Sequence, residues 1–144
     1  MRRDYFAHTP TTESPDRWHL LSDHLKTTGS LCQKFALSFD ASDLMLQIGL
    51  LHDIGKYSDE FQDYLIKCDQ FENKKLEKRP KRGSAHHKET GGCFAIGQNQ
   101  KYGEFIAACI YGHHGGLQKL GGKWILNQLY NFEKANASQI ETAV

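Results

Sequence analysis

The stretch LLHDIGKY, residues 50–57, places a histidine, an aspartate and a lysine in an otherwise apolar segment. The preceding residues, DLMLQIGLL, have the pattern of a buried helix, and Gly55 is a typical residue just beyond a helix end. Buried polar groups require partners, so His52, Asp53 and Lys56 need either solvent or specific contacts. The rest of the chain must decide between a solvated helix end and a functional site.

Helical periodicity extends through most of the chain. Apolar residues recur at intervals of three and four, and no segment has the sustained alternation of a β-strand. The predicted helices begin near Trp18 after Pro15 and Asp16, at Ser42 as a cap, after Ser58, near Ser84 and at Gly103, with a sixth in KWILNQLYNF, residues 123–132. The predicted fold class is therefore all-α, a helical bundle of about six helices.

Length and composition are those of one folded domain over residues 1–144, with a formal net charge of +1. Two arginines near the N-terminus precede no apolar run, so no signal peptide is predicted. No window approaches the roughly 18 apolar residues of a membrane span. The four cysteines are scattered, which favours reduced packing residues in a cytoplasmic protein. We therefore predict a cytoplasmic location and no membrane partner.

Histidine is the residue type that stands out, with eight copies. Helical geometry places His24 at the border of the first apolar stripe and directs His19 to solvent. A single buried imidazole is usually satisfied by its neighbours, but several imidazoles with one aspartate favour a shared metal. The residues of this candidate site are His24, His52, Asp53, His86, His87, His113 and His114.

The order of these motifs resembles a known family. His24, then HDIGK at 52–56, AHHKETGG at 85–92 and GHHGGL at 112–117 are similar to the HD superfamily of metal-dependent phosphohydrolases. Within it, the chain most resembles the HD nuclease domain of the CRISPR-associated helicase-nuclease of type I systems, over about residues 8–120. The resemblance implies an HD-domain helical bundle, a di-metal centre and cleavage of single-stranded DNA. It also implies two partners, a helicase domain or subunit and a crRNA-guided surveillance complex.

The resemblance further implies roles for individual residues. Asp53 would bridge the two metals, and Asp53 and Lys56 would be the catalytic residues, with Lys56 reaching substrate phosphate. His87 is the implied middle ligand, and His86 is its alternative. Imidazole-rich ligation suits manganese, nickel, cobalt, iron or zinc better than magnesium. The implied ligand sets are His24, His52 and Asp53 for one metal and Asp53, His87, His113 and His114 for the other.

One ligand of the family has no counterpart in this sequence. The family usually supplies a further acidic or polar ligand late in the chain, but the acids after His114 are only Glu133 and Glu141. Neither lies in a matching pattern. We therefore expect the C-terminal part of the family domain to be absent and the site at His24 and His52 to bind its metal more weakly.

A basic loop is predicted at residues 69–84. Residues 67–88 contain eight Lys or Arg and three Asp or Glu, so this segment could follow a DNA backbone. A solvated loop without a ligand is the alternative. The predicted nucleic-acid-binding residues are Lys78, Arg79, Lys81 and Arg82.

The predicted function is metal-dependent hydrolysis of single-stranded DNA in CRISPR interference, coupled to a helicase. One alternative is a generic HD phosphohydrolase of nucleotides or cyclic dinucleotides. Another is a catalytically silent metal-binding module that docks to a partner. The tandem histidines of GHHGGL favour the nuclease, because the resemblance assigns them to a second metal site.

Overall fold

The computed structural model describes residues 4–11, 18–98 and 101–116, and α-helices dominate these ranges. Their elements are β1 (Phe6–His8), β2 (His19–Leu20), α1 (Leu21–Phe35), a first 3₁₀ turn (Ala36–Phe39), α2 (Ser42–Leu51), a second 3₁₀ turn (Ile54–Tyr57), α3 (Asp59–Glu72), α4 (Lys88–Gln98) and α5 (Gly103–Gly112). The predicted all-α class is confirmed. None of the helices in the described ranges has the length and apolar composition required to cross a bilayer.

The predicted starts of α1 and α4 were wrong, and so was the predicted cap of α2. Helix α1 begins at Leu21, because residues 19 and 20 pair with β1 instead of extending the helix from Trp18. Ser42 is the first residue of α2, and the cap position is taken by Ala41 without a side-chain hydrogen bond. In α3 the prediction was correct, since the Ser58 hydroxyl accepts a hydrogen bond from Phe61 N at 3.3 Å.

The predicted basic loop was also too long at its start. Residues 69–72 belong to the last turn of α3, and irregular backbone begins at Asn73. Helix α4 begins at Lys88 instead of near Ser84. The predicted start at Pro15 and Asp16 and the sixth helix at residues 123–132 lie outside the described residues.

The main core holds the C-terminal half of α2 against α4 and α5. Ile48 of α2 packs in a buried cluster with Ala95 of α4 and with Ile106 and Ile110 of α5. Each fully buried isoleucine contributes about 1.5–3 kcal/mol relative to exposure. This packing places the end of α2 beside the segment that precedes α4 and the segment that follows α5. The histidine motifs lie in these three segments.

Helices α1 and α2 approach each other closely at two glycines. A Cβ atom on Gly49 would lie 2.6 Å from Cα of Gly29, a separation that no side chain permits. The absence of both side chains therefore allows α1 and α2 to pack backbone against backbone. As a result His24, in the first half of α1, lies beside His52 at the end of α2.

The two short strands form an antiparallel ribbon attached to α1 and α3. Leu21 N donates to Tyr5 O at 2.8 Å, where the ribbon continues into α1. On the other side of β1, the Gln62 carboxamide of α3 accepts from Phe6 N and donates to Phe6 O, both at 3.0 Å. The register pairs Phe6 with Leu20 and His8 with His19. The N-terminal strand is therefore held in place from two sides.

Candidate metal centre

Asp53 lies at the centre of the candidate site. Helix α2 ends at Leu51, His52 caps it, and Asp53 precedes the second 3₁₀ turn. Only 3% of the surface of Asp53 is exposed, so its carboxylate needs partners within the protein. These partners are histidines and one lysine from four separate segments.

A first group contacts the Asp53 oxygen Oδ2. His24 Nε2 lies 3.1 Å from this oxygen and His52 Nε2 lies 3.3 Å from it. The two Nε2 atoms are 3.1 Å apart. Two imidazole nitrogens and one carboxylate oxygen thus converge on a single small volume.

A second group faces the other carboxylate oxygen, Oδ1. The Nε2 atoms of His87 and His113 each lie 3.4 Å from it, and His87 Nε2 is 3.2 Å from His114 Nε2. His87 comes from the segment before α4, whereas His113 and His114 follow α5. Each oxygen of Asp53 therefore faces its own cluster of imidazoles.

The backbone orients two of these imidazoles. His52 Nδ1 donates to Gly49 O at 2.7 Å, and His113 Nδ1 donates to Ile110 O. A carbonyl oxygen only accepts, so in each ring the Nδ1 atom carries the proton. In this neutral tautomer the lone pair is on Nε2, the nitrogen that faces Asp53. An imidazole oriented in this way can bind a metal ion through Nε2.

These groups satisfy the requirements of a cation site. Asp53 Oδ1 is buried and has no hydrogen-bond partner within the part of the chain that the structure describes. Buried oxygens without a donor are rare, and a cation between Oδ1 and the imidazoles would remove this deficit. Within each group, one ligand atom per residue lies within 4.8 Å of the others. Imidazole nitrogens with one carboxylate suit divalent transition ions.

Electrostatics keep the donors in their metal-binding forms. Burial by itself raises the pKa of Asp53, but His113, His24, His52 and Lys56 outweigh it and hold that pKa well below its ordinary value. Burial lowers the pKa of His87 to about 4, an effect that Asp53 only partly offsets. Asp53 is therefore ionised and His87 is neutral at neutral pH, which are the states that bind metal.

Lys56 is buried beside Asp53. Its Nζ atom lies 2.8 Å from Asp53 Oδ2 and donates to Ala7 O at 3.1 Å, above the ring of Phe61. The residue is 4% exposed. This environment favours a role in neutralising and orienting Asp53, and contact between Lys56 and a substrate phosphate stays a prediction.

The structure separates the two candidates for the middle histidine. His87 lies in the second group, whereas His86 is exposed and its Nδ1 lies 3.4 Å from Glu89 Oε1. The backbone of His87 is fixed by Gly55, where an added Cβ would lie 2.1 Å from His87 O. His87 is thus positioned by the turn that directly follows Asp53.

The other predicted site residues lie on the surface or outside the described ranges. Arg79 forms an exposed 3.3 Å ion pair with Glu72, and all four predicted DNA-binding residues are exposed. Their contact with DNA stays a prediction. Glu133 and Glu141 are the only acidic residues after His114 that were considered for the family's further ligand. Both lie outside the described residues.

Sequence reasoning missed one histidine group entirely. His8 and His19 lie with His24 in a third cluster whose ligand atoms are within 4.8 Å of one another. His19 is exposed, as expected, but it belongs to a strand and not to a helix. The strands have three and two residues, too few for alternation to reveal that His8 faces His19.

The two groups around Asp53 contain the same residues as the two ligand sets that the motifs implied. Comparison with known proteins adds an independent finding. The family model described as "Cas3, HD domain" matches residues 9–141, which is nearly the whole chain. No curated protein matches the sequence.

Proposed function

Since the chain belongs to the family of Cas3 HD domains, we propose that it is a metal-dependent nuclease that hydrolyses phosphodiester bonds of single-stranded DNA in CRISPR interference. The family is that of a CRISPR-associated HD nuclease domain. The choice of single-stranded DNA, the coupling to a helicase domain or subunit, and recruitment by a crRNA-guided surveillance complex are parts of the proposal.

One observation carries the proposal: the Asp53 carboxylate is shared between two histidine groups. Oδ2 contacts His24 and His52, while Oδ1 faces His87 and His113. A carboxylate has two oxygens and can bridge two cations, whereas a neutral imidazole has one lone pair to offer. A shared carboxylate with imidazoles on both sides is therefore suited to hold the two ions of a two-metal hydrolase.

The ligands in this proposal follow the two groups. His24, His52 and Asp53 would hold one divalent ion, and Asp53 with His87, His113 and His114 would hold the other. When bound, such ions supply Lewis acidity and positive charge for hydrolysis of an anionic phosphodiester. The donor set favours manganese, nickel, cobalt, iron or zinc over magnesium.

The remaining residues serve this site by holding its ligands. Lys56 compensates the buried charge of Asp53 and fixes the oxygen that faces His24 and His52. The carbonyls of Gly49 and Ile110 fix the rings of His52 and His113. These contacts keep the ligands in place before substrate arrives, which reduces the reorganisation needed for catalysis.

The proposed substrate follows from charge and chain flexibility. The segment after α3 carries exposed cations, and a flexible single strand can enter a recessed site more easily than a rigid duplex. The four cations are Lys78, Arg79, Lys81 and Arg82. A monoester or cyclic dinucleotide would make far less use of such an extended basic segment.

A cleavage assay on the full chain tests the function. The chain is incubated with manganese, nickel or cobalt and with labelled single-stranded DNA, duplex DNA, mononucleotides or a cyclic dinucleotide. We expect cleavage of single-stranded DNA above all other substrates, its loss in Asp53→Asn, and its retention in the matched control Asp63→Asn, an exposed aspartate of α3. Hydrolysis of mononucleotides or cyclic dinucleotides without cleavage of DNA would overturn the proposal, as would full activity of Asp53→Asn.

A further inference from the structure

A third histidine group lies next to the Asp53 centre and contains no carboxylate. His8 and His19 face each other across the ribbon, and His24 is in the first half of α1. The ring centroids of these residues are 5.7 Å apart for His8 and His19, 5.0 Å for His8 and His24, and 5.3 Å for His19 and His24. One nitrogen from each ring lies within 4.8 Å of the other two.

The position of His8 is fixed by the fold. The two residues before it are held by side chains from other elements: Gln62 bonds to both backbone groups of Phe6, and Lys56 donates to Ala7 O. Ala7 itself is 1% exposed. The pairing of β1 with β2 is irregular between Phe6 and His8, and it places His8 opposite His19 with their rings stacked. The three imidazoles are therefore brought together by backbone structure, not by chance encounters of mobile side chains.

From this geometry we propose that His8, His19 and His24 form a third metal site, specific for late first-row transition ions such as Zn²⁺, Ni²⁺ and Cu²⁺. Three imidazoles with an open fourth position are a known form of tetrahedral zinc coordination, with Zn–N distances of about 2.0–2.1 Å. His8 and His19 belong to neither Asp53 group.

Within the described residues this group has no carboxylate, and this composition sets the selectivity of the site. Neutral imidazoles do not offset the ion's charge, and they bind Ni²⁺, Cu²⁺ and Zn²⁺ more strongly than Mn²⁺ in the general order of affinities. Magnesium prefers oxygen ligands and would not bind. The Asp53 groups supply a carboxylate and accept manganese as well. Zinc and manganese should therefore distribute differently between the third site and the Asp53 centre.

His24 links the third site to the centre. A neutral imidazole has one unprotonated nitrogen, so His24 can bind an ion in the third site or an ion beside Asp53, but not both. Zinc in the third site would withdraw a ligand from the first group. Excess zinc would then inhibit manganese-supported cleavage, a consequence that rests on the proposed function, whereas zinc binding itself does not.

Equilibrium dialysis with zinc tests the site without reference to activity. In the double variant Asp53→Asn, His113→Asn, the third group is the one described cluster that keeps three ligand residues. We expect this chain to bind one zinc ion, and binding to weaken about tenfold or more when His19→Asn is added. The control is addition of His86→Asn, an exposed histidine outside all three groups, which should change nothing. Equal zinc affinity with and without His19, or no zinc bound by the double variant, overturns the proposal.

Inhibition in the otherwise unaltered chain provides a second measurement, which does not depend on folding of the double variant. Zinc is titrated into manganese-loaded protein that cleaves single-stranded DNA. His19→Asn should raise the inhibitory zinc concentration about tenfold or more, whereas His86→Asn should leave it unchanged. Identical inhibition of the parent and His19→Asn would disprove the competition for His24. Lack of cleavage by all chains, with zinc binding as expected, would refute the proposed function but not the third site.

Discussion

The Lys56 ammonium lies 2.8 Å from Asp53 Oδ2, and both side chains are about 5% exposed or less. The pair is a buried ion pair whose negative member also contacts four imidazoles, those of His24, His52, His87 and His113. The lysine therefore supplies one positive charge to the site when no metal is bound. It also places that charge next to the oxygen shared with His24 and His52.

Replacing Lys56 should make folding depend on metal. Removing one partner of a buried ion pair costs about 3–5 kcal/mol because the other charge stays buried without compensation. In Lys56→Met we expect a loss of this size in the free energy of unfolding of metal-free protein, partly recovered by manganese. Urea denaturation in chelator and in manganese measures it, with the exposed Lys67→Met as control. A loss of the same size with and without manganese would contradict this account.

The two groups around Asp53 should bind metal with unequal affinity. The second group has four ligand residues and the first has three, and Lys56 places a positive charge beside the oxygen of the first. Titration calorimetry with manganese should resolve a tight and a weak event. We expect His113→Asn to remove the tight event and His52→Asn to remove the weak one. Two events of equal affinity in the parent chain would disprove the inequality.

Gly55→Ala should damage the centre without removing any ligand. The new Cβ would lie 2.1 Å from His87 O, so the backbone before α4 must move. We expect destabilisation of about 1–3 kcal/mol and weaker manganese binding. Gly97→Ala is the matched control, because a Cβ there meets nothing within 4 Å and alanine favours a helix by about 0.5–1 kcal/mol. Unchanged metal affinity in Gly55→Ala would show that His87 tolerates the displacement.

The stability of metal-free protein should decrease between pH 6.5 and about 4. The pKa of His87 is lowered from 6.5 to about 4, so the unfolded chain binds a proton in this range before the folded chain does. The contribution of His87 to the free energy of unfolding is fully present above pH 6.5. It is lost as the pH falls from 6.5 to about 4. Urea denaturation in chelator at several pH values measures the slope. Burial also lowers the pKa of His8 to about 4, so His87→Asn should reduce the slope without abolishing it. An equally steep slope in that variant would assign the effect to other groups.

The basic segment should account for much of the salt dependence of DNA binding. If each of the four cations contacts one phosphate of single-stranded DNA, their removal should reduce the slope of log K against log salt by about 3. Binding is measured by fluorescence anisotropy in chelator for the quadruple alanine variant. The control replaces Lys26 and Lys34, two exposed lysines of α1. Equal slopes for the parent and the quadruple variant would exclude the segment from the binding surface. The four replaced residues are Lys78, Arg79, Lys81 and Arg82.

Local patterns were sufficient to predict much of this fold and to select the residues that the structure brings together around Asp53. The helical class followed from apolar periodicity, and α5 was predicted with its observed first residue, Gly103. His52 and Asp53 were identifiable because they lie at the end of an apolar helix. The tandem histidines, His113 and His114, were identifiable because they lie at the end of another. In each case the signal lies within a few consecutive residues, so it can be read without knowledge of the tertiary structure.

Contacts between distant segments could not be predicted in the same way. One partner of Lys56, Ala7 O, is 49 residues away, and nothing in HDIGK indicates that this lysine is buried. The ribbon that aligns His8 with His19 depends on anchoring by Gln62 from α3. Its strands are too short to have a recognisable pattern of their own. Burial and contacts between distant segments therefore determine the parts of the structure that local sequence propensity does not specify.

The Gln62 carboxamide has a consequence for how copies of this chain behave in concentrated solution. It offers Phe6 one acceptor and one donor, as a neighbouring peptide group would, and so completes hydrogen bonding along the outer edge of β1 at that residue. Open strand edges recruit extended segments of other molecules and begin aggregation. The side chain acts as a one-residue substitute for a third strand, and it shields the ribbon from intermolecular β-pairing.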